Sequence, residues 1–97
     1  MCVGAVAVVL GVSEDGLTAE VDFGDGVARR ALVGIGGEAL SRGDIVIVHA
    51  GVVISRVSGE GLAEQLELFR EVLGGGDELV RLQERVLELS RALRRAR

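Results

Sequence analysis

The chain carries one cysteine, Cys2, directly after the initiator methionine, and one histidine, His49, in the stretch GDIVIVHAG. A thiolate is a soft ligand for iron, copper or zinc, and an imidazole is a common metal ligand. Because residue 2 is small, methionine aminopeptidase is expected to trim Met1 and leave Cys2 with a free amine and thiol at an accessible terminus. Each residue also has a plainer reading: Cys2 as a small apolar filler, His49 as a hydrogen-bonded strand-end residue. One thiol and one imidazole do not fill the four-coordinate shell of a structural zinc site. A metal held here takes its remaining ligands from a partner protein or from small molecules it carries.

Other chemistry finds no machinery. The acidic residues are scattered through turns and helix faces, so no Ser/His/Asp arrangement can be argued, and no catalytic residue is assigned. The glycines at 34, 36, 37 and 43 are not followed by Lys-Ser/Thr, so no phosphate loop is found, and a bare GxGG is a weak signal. Glu14 and Asp15 fall in a solvated turn. The expectation is a protein that is not an enzyme.

The elements that must position Cys2 and His49 follow from periodicity. AVAVVLGV at 5–12 is rich in β-branched residues and ends at the turn cluster SEDG. In LTAEVDF, Leu17, Ala19, Val21 and Phe23 alternate with Thr18, Glu20 and Asp22, the period of a half-buried strand, and GDG at 24–26 closes a hairpin. VARRALV at 27–33 is a third strand. GIGGEALSRGD is a glycine-rich loop with room for a short helical turn at 38–40. IVIVHAGVVISRV, apolar on both faces and broken at Gly51, is a strand or bent strand pair at the centre of a small closed barrel.

The period then changes. Leu62, Leu66, Phe69 and Leu73 recur at helical spacing after a Ser58 N-cap, and GGG at 74–76 stops the helix. Asp77 caps a second helix in which Leu79, Leu82, Val86, Leu89 and Leu93 form a heptad-like seam. That stripe needs a partner surface, either the chain itself in a folded-back hairpin or a second copy in a homo-oligomer through residues 79–93. The division is a β-rich body at about 1–57 and a helical segment at 58–97, with helices at about 60–73 and 77–95.

Composition limits the partners. The chain has 97 residues, 48% hydrophobic but only 2% aromatic, so its core is built from Val, Leu, Ile and Ala within one small domain. The net charge is −4, which disfavours nucleic acid, and an OB-type base-stacking surface would have only Phe23 and Phe69 to offer. Arg91, Arg94, Arg95 and Arg97 complement the negative end of the last helix dipole, and Arg29 and Arg30 read as a solvated edge. A lone cysteine, no signal-like leader and no apolar run of about 18 residues point to a reducing cytoplasm and no membrane span.

MCVGAV at the start, GDIVIVHAGVVIS in the middle and a Glu/Leu-rich helix after it resemble the HypC/HupF hydrogenase-maturation chaperones over residues 1 to about 73. The family pattern begins M-C-(apolar)-x-x-P and continues G-D-(apolar)-V-(apolar)-V-H-x-G-(aromatic)-A. Met1 and Cys2, then Gly43, Asp44, Val46, Val48, His49 and Gly51, match in order and spacing. Val6 stands where the family usually has Pro, and Val52 where it has Phe or Tyr.

The resemblance implies a mainly β fold, a small OB-like β-barrel followed by C-terminal α-helices, and a chaperone without turnover of its own. It implies association with HypD and transient carriage of an Fe(CN)2CO unit, with no permanently bound cofactor, for delivery to the [NiFe]-hydrogenase large-subunit precursor. It makes Cys2 the essential thiol and iron ligand and His49 the second candidate. Cys2, Val3, Gly4 and Gly51 become the partner-binding positions. The competing reading is a non-enzymatic adaptor or oligomerisation module built on the heptad helix.

Overall fold

The computed structural model describes residues 5–34 and 39–96. Five strands, β1 (Ala5–Val12), β2 (Thr18–Asp22), β3 (Ala28–Val33), β4 (Ile45–His49) and β5 (Val52–Val57), close into a barrel in the order β1-β2-β3-β5-β4. Helices α1 (Gly59–Leu73) and α2 (Glu78–Arg95) follow. Neighbouring strands run antiparallel except β3 and β5, whose parallel pairing (Leu32 with Val52, Val33 with Val53) completes the closure. The expected mainly β architecture, a small barrel followed by C-terminal helices, is the observed one.

The alternation of β1 serves two cores. Ala7 and Val9 point into the barrel with Ala19, Val21, Val46 and Val53, all buried. A barrel of so few strands has a narrow interior, which is why it is filled mainly by Ala and Val, with Leu40 in the same cluster. Val6, Val8 and Leu10 lie on the other face of β1 and pack, with Ile45, under Leu62 and Leu66 of α1 and Val80, Val86 and Leu87 of α2. The stretch after Ile45 is a hairpin rather than one strand, turning at Ala50 and Gly51, both at positive φ (51° and 79°). Leu17, expected on the inward face of β2, is 62% exposed, because it lies at the barrel rim just before the strand begins. Ala39 and Leu40 are not helical; Glu38, the start of the expected short turn, lies outside the described residues.

Both helix starts are capped as their sequences suggest: Ser58 Oγ accepts from Gly61 N at 2.9 Å, and Asp77 Oδ1 from Leu79 N at 2.9 Å. The α2 stripe is covered within the chain. Its buried residues are Val80, Gln83, Val86, Leu87 and Ser90, while Leu79 of the expected seam is 48% exposed. The covered face is turned by about one residue step, roughly 100°, from the heptad seam, because α2 lies in the angle between barrel and α1 and buries the middle of a wide apolar arc. Leu82, Leu89 and Leu93 flank it, half-buried.

Three contacts seat α2. The turn after β2 approaches it so closely that a Cβ on Gly24 (φ 99°) would lie 2.3 Å from the Leu82 carbonyl oxygen. Asp22 holds that turn by accepting from Gly24 N at 2.7 Å and Gly26 N at 3.2 Å. At the other end, Ser90 Oγ donates to the Gly43 carbonyl at 2.5 Å, and Arg94 Nη2 pairs with the buried Asp44 Oδ1 at 2.9 Å. Arg94, read from sequence as complementing the helix dipole, is thus an anchor. Arg70 of α1 is bound to Glu84 of α2, which ties the helices together.

Candidate functional site

β1 runs antiparallel to β4, Ala5 opposite Val48 and Val6 opposite Ile47, so the first described residue lies beside the end of β4 that carries His49. Alternation along β4 puts His49 on the outer face with Ile45 and Ile47, since Val46 and Val48 belong to the interior core. His49 is half-buried, pairs with Val52 across the hairpin, and its ring has no hydrogen-bond partner among the described residues. It is followed by Ala50 at φ 51°, a conformation that costs a residue with a Cβ about 1–2 kcal/mol. Gly51, exposed and with nothing near the place of a Cβ, supplies the second positive φ of a two-residue hairpin turn. The strained backbone sits directly after the imidazole.

On the same outer face lies an apolar cleft of about 430 Å³ between barrel and helices. Ala5, Val6 and Ile47 form its barrel side, and Phe69, Leu79 and Gln83 its helical side. Gln83 is 92% buried, and among the described residues its Oε1 has no hydrogen-bond partner. Phe23, half-buried at another edge of the cleft, is overlaid by the Arg29 guanidinium at 5.6 Å. Arg29 also donates to Asp25 at 2.8 Å, and that hydrogen bond holds the Asp25 carboxyl below the ordinary carboxylate range.

Of the residues singled out from sequence, His49 and Gly51 come together at the β4–β5 turn. Cys2, Val3 and Gly4 lie outside the described residues. Among the described residues, no three His, Cys, Asp or Glu side chains converge into a metal-binding group. Sequence reading missed the cleft and its unpaired amide. The available signal was Gln83 and Ser90, two polar residues seven apart on the face that also carries Val80 and Leu87.

Comparison with models of protein families matches residues 1–69 to the HupF/HypC family. The chain belongs to the HupF/HypC family. No curated protein matches it. HupF/HypC proteins are chaperones rather than catalysts, and membership supports a general hydrogenase-maturation chaperone role for this chain. The match takes in the barrel and most of α1, and α2 lies outside it.

The structure sorts the HupF/HypC motif of this chain by job. Gly43 (φ 95°) and Asp44 interlock with β1, Gly43 N donating to the Val9 carbonyl and Val9 N to the Asp44 carbonyl, each at 2.8 Å. Val46 and Val48 fill the barrel, and Gly51 makes the turn. Packing and turn geometry account for each of these. The His49 ring is left with no such role. Val6, where the family usually has Pro, sits in the β1–β4 ladder and keeps the N–H that a proline gives up. No helix among the described residues is long and apolar enough to cross a membrane.

Proposed function

We propose that this HupF/HypC protein carries an Fe(CN)2CO unit together with a HypD-type partner and passes it to the large-subunit precursor of a [NiFe]-hydrogenase in the cytoplasm. The iron unit is cargo, not a resident cofactor. The Cys2 thiolate serves as the iron ligand and His49 as the second group beside it, while cyanide, carbon monoxide and the partner complete the shell. Cys2, Val3, Gly4 and Gly51 form the partner-binding positions.

The observation that supports this reading is the His49 imidazole, half-buried, without a hydrogen-bond partner among the described residues, at the strand end beside which β1 begins. Cys2 precedes Ala5 by three residues, a length of chain that spans at most about 11 Å. That length is enough for a thiol at its far end to reach the β4–β5 turn. Two protein ligands suffice for a cargo that brings diatomic ligands of its own.

Co-expression with HypD tests the proposal. The expected product is a complex containing a chain that has lost Met1 and showing cyanide and carbonyl infrared bands. Cys2→Ala removes both complex and bands, and His49→Ala keeps the complex but weakens the bands. Normal hydrogenase maturation by the Cys2→Ala protein overturns the role given to the thiol.

A further inference from the structure

The helical hairpin presents a surface that neither the barrel nor the iron cargo uses. Leu68 and Val72, one turn apart on α1, are 58% and 72% exposed. At about 100° per residue, Phe69, Val72 and Leu68 follow one another around α1 from the cleft to its outer face. Leu79 of α2, also exposed, extends the apolar track past the cleft mouth.

Beyond Leu68 the helix surface becomes acidic. Glu60, Glu64, Glu67 and Glu71 fall on one stripe, all exposed, and none forms an ion pair with a described cation. The one arginine of α1, Arg70, is engaged by Glu84. At the other side of the track the cleft wall holds Gln83, nine-tenths buried, its Oε1 an acceptor without a donor among the described residues.

We propose that this face docks a basic amphipathic helix of a partner protein, its apolar side on Leu68, Val72, Phe69 and Leu79, its cations toward the glutamate stripe and a donor toward Gln83. The chemistry selects this occupant. Unpaired carboxylates beside apolar residues call for cations beside apolar residues, and a basic segment brings the donor that Gln83 lacks. The surface is built from α1 and α2 and contains no strand edge, so helix-in-groove recognition is the mode it fits. A second copy is the poorer fit: α2 is the cationic helix of this chain, and its apolar face is already buried against its own barrel.

This inference does not rest on the iron-cargo reading. The full chain is titrated with a Leu/Lys amphipathic peptide of about the length of α1, 15 residues, carrying one Trp. Because the protein has neither Trp nor Tyr, the emission reports the peptide alone. The Leu/Lys peptide is expected to bind and a Leu/Glu counterpart not to. Leu68→Lys with Val72→Lys, both at exposed positions, should weaken binding about tenfold, and Glu64→Lys with Glu71→Lys should do the same and flatten the salt dependence. Cys2→Ala should leave binding unchanged, which separates this surface from the thiol. Equal binding of both peptides, or unaltered affinity in both double variants, overturns the proposal. So does sedimentation showing that the free protein dimerises through this face and that Leu68→Lys with Val72→Lys abolishes the dimer.

Discussion

The barrel interior and the layer between barrel and helices are both apolar, yet they are built by different rules. Inside, Ala7, Val9, Ala19, Val21, Val46 and Val53 meet with small, stiff side chains. Outside, Ile45, Leu62, Leu66 and Leu87 join Val8, Val80 and Val86, and the layer leaves a cleft and a buried amide whose oxygen has no partner among the described residues. The interior is bounded by hydrogen-bonded strands, so its volume is fixed by strand number, and Ala and Val fill most of it beside Leu40. The outer layer is bounded by helices on short connections, whose position can adjust to what they cover. One core therefore specifies the fold, and the other leaves room to acquire a surface.

Three substitutions probe that contrast. Leu66→Ala, in the outer layer, removes a fully buried side chain joining α1 to the rest of that layer and should cost about 2–5 kcal/mol, read from the urea midpoint. The low end of that range would mean that the helices settle into the space, as an adjustable layer should. Val21→Leu, in the interior, adds a methylene where the barrel cannot expand and should cost about 1–3 kcal/mol by the same measurement. Unchanged stability would remove the claim that the interior volume is fixed. Gln83→Leu replaces a buried amide whose acceptor is unpaired among the described residues with an apolar group of similar size and should raise stability by about 1 kcal/mol, seen as a higher Tm. A loss would mean that the amide has a structural partner after all.

Much of this could be read in advance from local signals. Alternation in TAEVD, the turns SEDG and GDG, the Ser58 and Asp77 caps and the GGG break each act within a few residues, so their elements appear where periodicity puts them. The hairpin turn after His49 was signalled by Gly51, but Ala50 at positive φ was not, because alanine ordinarily avoids that conformation. For α2, periodicity gave a helix with an apolar stripe but not the rotation that decides which leucines are covered. Ser90 bonding Gly43 and Arg94 pairing with Asp44 join residues about fifty apart, and no local pattern links them.

By itself the sequence determined the strand and helix boundaries to within a few residues, the aliphatic character of the core and, through the order of Gly43, Asp44, Val46, Val48, His49 and Gly51, the family. Tertiary structure alone decided that α2 folds back over the barrel, that the cleft forms beside β1, and that His49 stands at the same end as Ala5. The physical reason is one of range: caps, turns and alternation act between near neighbours in the chain, whereas barrel closure and helix docking depend on surfaces that exist only once the strands have met.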